Sequence, residues 1–325
     1  MTVSRRRILE LAVATTLLPA GTSLARAQTF PVRPIRIVIG YPAGGSTDLL
    51  ARIVGQYLSE RLGQTFVIEN KPGAGTNLAA QTVVAAPPDG YTLLFAASTY
   101  AINATLYDSL PYNFLRDIVP IAGLAELPLV LDVNTSLPVN TLAEFISYAK
   151  ANPGKISFAS FGAGTIAHLA IELLKQTTGI DVVHIPYRGG APFITDLLAG
   201  RVQAGIDALP NSLPHIKSGT VRALAVLPAQ RATALPDVPA ISETLPGFAV
   251  STWSGVGAPR GTPPEIIERL SRAINAALMD PGIKARIAEI GGAPLVYSPA
   301  EFGAVIRADT EKWAKVIRTA NIKPE

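Results

Sequence analysis

Glycines and small hydroxyl residues recur in this 325-residue chain where a β-branched apolar run gives way to a helical stretch. The four cases are Tyr41-Pro-Ala-Gly-Gly-Ser-Thr-Asp48, Asn70-Lys-Pro-Gly-Ala-Gly-Thr-Asn77, Ser160-Phe-Gly-Ala-Gly-Thr165 and Tyr187-Arg-Gly-Gly-Ala191. Glycine lets the backbone turn with positive φ and lets a ligand approach the main chain closely. The helix that follows supplies unpaired N–H groups and the positive end of its dipole. Ser46, Thr47, Thr76, Ser160 and Thr165 add neutral donors. The chemistry on offer is the binding of a small anion, with carboxylate the natural class. One such loop taken alone is a tight strand-to-helix turn. Four of them in two pairs, the members of each pair one βαβ unit of about 30 residues apart, point to two lobes of similar construction.

Chargeable residues near these loops have two readings each. Asp48, at a helix start, reads as a dipole-matched capping residue rather than an acid catalyst. Arg188 either faces a ligand carboxylate with bidentate geometry or sits on a lobe surface. His168 either donates to a ligand or satisfies local backbone, the second being preferred. Asp207 accepts either from a ligand amine or from a neighbouring loop amide.

Other chemistries lose their residues on inspection. Gly162-Ala-Gly-Thr-Ile-Ala167 matches a dinucleotide-binding pattern, yet the next strand ends in His184-Ile-Pro-Tyr-Arg188 with no acid to hold a ribose. The hydrolase elbow GxSxG and the P-loop are both missing. With no cysteine there is no disulfide, iron–sulfur or thiolate site. His168, His184 and His215 lack metal-ligand spacing. The expectation is a chain with no catalytic constellation, no cofactor and no metal.

Residues 1–27 have the pattern of an export signal: Arg5-Arg-Arg7, a short apolar run from Leu11 to Leu18, and Ala25-Arg-Ala27 as a cleavage site. The run is too short to span a bilayer, which takes about 20 apolar residues. Ser4-Arg-Arg-Arg-Ile-Leu9 resembles a twin-arginine signal, and the route of export stays open. Without residues 1–27, which hold four arginines and one glutamate, the formal charge falls from +4 to +1. No basic run remains, so nucleic-acid binding is not expected.

The remaining 298 residues suffice for two cores. Strands are predicted at 35–39, 66–68, 92–95, 156–159, 182–185, 202–206 and 221–226. Helices are predicted at 48–62, 77–86, 142–151, 167–178, 192–199, 264–279 and 299–320. The alternation predicts the α/β class with parallel sheets. Ligands of such sheets bind at the carboxyl ends of the strands, where these loops lie.

The four loops, together with Thr195-Asp-Leu-Leu-Ala-Gly200, Leu213-Pro-His-Ile-Lys-Ser-Gly219, Leu235-Pro-Asp-Val-Pro239 and Gly247-Phe248 before Trp253, resemble the substrate receptors of tripartite tricarboxylate transporters, the TctC-like or Bug receptor family. The resemblance covers nearly the whole chain after the leader. It implies a two-lobed periplasmic receptor of the Venus flytrap type, a monomer, closing on a small organic acid and delivering it to membrane transporter subunits. Carried over from the family, the ligand-binding candidates are Tyr41, Gly44, Gly45, Ser46, Thr47, Asn77 and Ser98 in the first lobe. In the second lobe they are Ser160, Gly162, Gly164, Thr165, His168, Tyr187 and Asp207. Tyr41 stands where the family often has phenylalanine, and Phe161 and Ala163 where polar residues are frequent; an apolar second-lobe loop favours an aromatic or longer aliphatic acid. The expected division is 28–129 plus 253–325 for one lobe and 130–252 for the other. The chain is expected to cross near Leu127–Val133 and return near Thr252–Ala258, with Pro264 onward packing on the first lobe. A partner of a signalling sensor would share every motif, and an exported enzyme acting on a carboxylate is the third reading.

Overall fold

The computed structural model describes residues 30–187 and 189–324. The export signal and Arg188 lie outside the described residues. Strands β1 (Ile35–Ile39), β2 (Phe66–Asn70) and β3 (Thr92–Ala97) form a parallel set in the order β2-β1-β3. Strand β4 runs unbroken from Ile118 to Asn134. A second parallel set, in the order β7-β5-β6, is built from β5 (Ser157–Ser160), β6 (Val183–Pro186) and β7 (Ala204–Ala208). Completing the sheets are β8 (Val221–Val226), β9 (Ser251–Pro259) and the two-residue β10 (Ala293–Pro294).

The two sets are joined through β4. Its first part, Ile118–Pro128, pairs antiparallel with β9, which in turn pairs antiparallel with β3. Its second part, Leu129–Asn134, pairs antiparallel with β7 on one side and β8 on the other. One strand thus leaves the first sheet and enters the second, and the molecule is two-lobed. The expected parallel character holds within β1–β3 and β5–β7. It fails at β4 and β9, because a strand that crosses between lobes has no βαβ connection to set its direction.

Helices cover both faces of each sheet. Ser46–Leu62 and Pro264–Met279 lie on one face of the first sheet, burying Leu50, Ile53, Val54 and Leu58 together with Leu270, Ile274 and Leu278. Asn77–Val84 and Ser98–Leu106 lie on the other. In the second lobe, Leu142–Ala151 and Ile166–Thr178 cover the face that carries Leu129, Leu131 and Val133, and Gly190–Leu198 and Leu209–Lys217 cover the opposite one. The last helix, Pro299–Ala320, departs from expectation. Phe302 and Ile306 pack in the first lobe, but Trp313, Val316 and Ile317 belong to a core built mainly from second-lobe residues. Its apolar residues recur along 22 residues, about 33 Å of helix, enough to reach both cores. Ile102 and Leu106 join that same second-lobe core, so two helices of the first lobe brace the second. Among the described residues no helix is long and apolar enough to cross a membrane.

Candidate functional site

Each predicted loop sits at the carboxyl end of a strand, as the sequence suggested: Tyr41–Gly45 after β1, Lys71–Thr76 after β2, Phe161–Thr165 after β5, and Tyr187 and Gly189 after β6. Two further junctions join them that carry no glycine. Ala97 leads β3 directly into the helix Ser98–Leu106, and Ala208 leads β7 directly into Leu209–Lys217. Glycine was the cue for the other four, so Ala208–Leu209 was missed, and Ser98 was identified without its helix. The available signals were Ser98-Thr99 at a strand end and Pro210 at the second helical position.

Capping distinguishes these helices from most of the rest, Pro264–Met279 being uncapped as well. The helices that start at Ser46, Asn77, Ser98, Gly190 and Leu209 have no side-chain cap. The helices starting at Phe114, Leu142, Pro281 and Pro299 are capped by Asn113, Thr141, Asp280 and Ser298. Helix Ile166–Thr178 is intermediate: the Thr165 hydroxyl accepts from the His168 N–H at a long 3.5 Å. An uncapped helix start keeps backbone donors for a partner from outside the chain, with the dipole favouring an anion.

The first-lobe loop is held by charge. Gly44, in the left-handed region at φ 87°, donates its N–H to Asp48 Oδ2 at 3.0 Å. Arg52 Nε donates to the same oxygen at 2.9 Å, and Asn70 Nδ2 donates to Asp48 Oδ1 at 3.0 Å. The bond from Arg52 is the main cause that holds the Asp48 carboxyl at about 2, well below the carboxylate range. Asp48 is buried and turned into the loop, which fits a structural role. Gly44 and Gly45 are exposed and Ser46 and Thr47 half-buried. The Tyr41 hydroxyl lies 2.6 Å from Thr99 Oγ1, tying this loop to the first turn of the Ser98 helix; burial raises its phenol above the usual value. Asn77 is 1 % exposed, and its Oδ1 accepts from Tyr112 at 2.5 Å and Asn103 at 3.0 Å. Asn103 also donates to the Gly75 carbonyl at 2.7 Å, so Asn77 belongs to the frame beneath the second loop.

The Phe161–Thr165 turn of the second lobe is held without formal charge. Ser160, fully buried, lies 2.7 Å from His184 Nε2, and its hydroxyl donates to the Gly162 carbonyl at 3.1 Å. Thr165 Oγ1 donates to that carbonyl at 2.7 Å. Gly164 donates its N–H to His168 Nδ1 at 3.0 Å, so the lone pair is on Nδ1 and the neutral ring carries its proton on Nε2. The two imidazoles stack with centroids 3.9 Å apart, and burial, with His168 as neighbour, pushes His184 down to about 3. Tyr187 N–H donates to the Ser160 carbonyl and Gly189 N–H to the Phe161 carbonyl, joining the two loops. The Tyr187 hydroxyl donates to Asp196 Oδ2 at 2.8 Å, with burial the larger reason that its phenol rises to about 12. Asp207 accepts at Oδ1 from the Ala208 N–H at 2.8 Å and from Asn211 at 3.2 Å. Phe161 packs on the second-lobe core.

Among the site loops, the contact between the lobes is at Gly164. A β-carbon there would come within 2.5 Å of Leu106 Cδ2, at the far end of the Ser98 helix, and the residue has φ +66°. Tyr41, Gly44–Thr47 and Ser98 are thus gathered in the first lobe, Ser160–Thr165, His168 and Tyr187 in the second. Ser98 and Leu106 stand about 12 Å apart along one helix.

Comparison with known proteins agrees with this geometry. The family model for the tripartite tricarboxylate transporter family receptor matches residues 50–322. Protein BugT of Bordetella pertussis is 39 % identical over 300 residues, 91 % of this chain and 92 % of that protein. A Rhodopseudomonas palustris protein solved with adipate superposes with a TM-score of 0.82 at 38 % identity, over 91 % of this chain and all of the other. MatC from Rhodopseudomonas palustris, solved with malate, gives 0.76 at 32 % identity over 89 % of this chain and all of its own. A matching model over most of the chain and near-complete coverage of these relatives leave one conclusion: this chain belongs to the tripartite tricarboxylate transporter receptor family.

Proposed function

We propose that this protein is an exported receptor that closes its two lobes on a small organic carboxylate in the periplasm and presents it to the membrane subunits of a transporter. The observation that carries this reading is the set of helix starts left without side-chain caps at strand ends in both lobes, while most other helix starts are capped. The similar proteins solved with adipate and malate, both dicarboxylates, support it. The working division is 28–129 with 253–325 and 130–252, with β4 and the segment entering β9 as the hinge, and removal of the leader near Ala27.

Under this reading Gly45, Ser46, Thr47 and Ser98 donate to one side of the ligand, Gly44 turns the chain toward it, and Gly162, Gly164 and Thr165 line the other. Asp48, Asn77, Ser160, His168 and Tyr187 act mainly as the frame that holds those donors. Asp207 lies behind the second-lobe wall. The receptor acts as a monomer and turns nothing over, since binding followed by release is the whole task. A ligand stabilises the closed form only by touching both lobes.

Thermal unfolding against mono-, di- and tricarboxylates, each beside its neutral amide, tests the reading. At a hundredfold excess over Kd a true ligand adds about 2.7 kcal/mol, a rise of several degrees for a chain of this size. Acids that shift the midpoint while their amides do not support the receptor. Equal shifts with acid and amide, or turnover of a bound acid, refute it.

A further inference from the structure

The second lobe hides two carboxylates for which the site described above has no use. Asp132, on the second part of β4, and Asp207, at the end of β7, are both fully buried. Asp207 lies opposite Val130 in the antiparallel ladder and Asp132 lies opposite Gly205, so the two acids are diagonal neighbours on one face of the sheet. Both Asp132 oxygens and Asp207 Oδ2 lack a hydrogen-bond partner. Ser212 on the helix Leu209–Lys217, itself fully buried, sets its hydroxyl beside Asp132, and that neutral neighbour only partly offsets the cost of burial.

Among the described residues, no cation answers these carboxylates from the packed elements. On β8 the residue opposite Asp132 is Ala223; Arg222 pairs with Val133, on the other face, and donates to the Val139 carbonyl at 2.9 Å. Helix Gly190–Leu198 offers Phe193, Ile194 and Leu197, and its Asp196 is engaged by Tyr187 and Arg201. Helix Leu209–Lys217 offers Ser212 and Asn211, with His215 and Lys217 in its last turn and Lys217 exposed. Two buried carboxylates with no cation between them cannot both ionise without a large desolvation cost, and a bound proton removes that cost.

We infer that Asp132 and Asp207 form a proton site, that the folded second lobe carries a proton there at neutral pH, and that the solute anion binds most tightly while the proton is present. The last clause rests on the receptor reading proposed above. It follows from position. A β-carbon on Gly190 would lie 3.1 Å from Asp207 Oδ1, and Asp207 holds the first turn of Leu209–Lys217 through Ala208 and Asn211. The pair therefore sits behind two of the uncapped helix starts, where an extra negative charge opposes an incoming anion. Burial pushes Asp132 up to about 8 and Asp207 to about 6, so the folded lobe holds protons that the unfolded chain has released. Where the folded state binds more protons, stability falls as pH rises, here from the ordinary aspartate range toward about pH 8.

The test has arms with and without ligand. Infrared spectra of the free protein near neutral pH should show a protonated carboxyl carbonyl band that Asp132→Asn removes. Unfolding midpoints measured between about pH 6 and about pH 9 should fall with pH in the natural protein and stay flatter in Asp132→Asn. If that variant does not fold, the infrared band of the natural protein decides the proton site alone; its absence overturns the inference. With adipate as probe, affinity in the natural protein should weaken toward a limit of about tenfold per pH unit once the pair ionises, and hold steady in Asp132→Asn. Adipate binding that ignores pH while the band is present overturns the link to the anion. Failure of every carboxylate at every pH overturns the receptor reading instead, and leaves the proton site to the ligand-free arms.

Discussion

The loops of the two lobes have the same shape of task and opposite chemistry. In the first lobe the glycine turn is fixed by an ionised carboxylate, Asp48, which gathers Gly44, Arg52 and Asn70. In the second the corresponding turn is fixed by hydroxyls and neutral imidazoles, with Ser160, Thr165, His168 and His184 sharing the work. An exposed arginine can pair with Asp48 in the first lobe, since Arg52 keeps half of its side chain in solvent. The second-lobe turn bonds neutral group to neutral group, so no charge has to be compensated there. The same anion-binding geometry is thus assembled from a charged frame in one lobe and from a neutral one in the other.

The comparison breaks most visibly at the glycines. Gly164→Val adds bulk against Leu106 at a backbone angle that β-branched residues avoid, so it should hold the lobes apart and weaken carboxylate binding by at least about tenfold while most of the fold survives. Gly44→Ala meets nothing within 4 Å and should cost only backbone strain, about 1–2 kcal/mol. Calorimetric titration of both variants checks the contrast; equal losses would mean that Gly164 has no role between the lobes.

Asp48→Ala comes next. It leaves the Gly44 N–H, Asn70 and Arg52 without their acceptor and should lower stability by about 1–3 kcal/mol, seen in denaturant unfolding. The loss should be constant above about pH 4 and should vanish in strong acid, because a carboxyl depressed to about 2 gives up its contribution only as pH falls through that value.

The effect at His184 has the opposite cause and is confined to acid. Its folded value of about 3 means that the unfolded chain takes up a proton first, so stability should decline as pH falls from about 6.5 toward 3. His184→Gln should flatten that acid limb in an unfolding series, leaving the Asp48 contribution untouched. An unchanged limb would show that the stacked histidines are not its source.

Much of the fold was legible in the sequence. β1, β8 and the helices at 142–151, 264–279 and 299–320 have the predicted bounds, since apolar periodicity and Pro or Gly punctuation agree there. β4 was not legible as one strand, because Pro120, Gly123 and Pro128 interrupt its pattern and its pairing partners lie in two different sheets. The helix Leu209–Lys217 was hidden by Pro210 and Pro214. At the site, glycine spacing located the loops, but their frame was invisible: the reach of Asn77 to Tyr112 and the stack of His168 on His184 depend on how distant strands are set side by side. Asp132 gave no signal, being a single acid in an apolar run, and only the assembled sheet reveals that no cation among the described residues pairs with it.

The central claim is that a small carboxylate bridges the two lobes, and small-angle scattering of the protein with and without the acid selected by thermal unfolding tests it most directly. A decrease in radius of gyration with the acid, and none with its amide, is the predicted result. An acid that binds tightly yet leaves the scattering unchanged, or an amide that closes the protein equally well, would contradict the account.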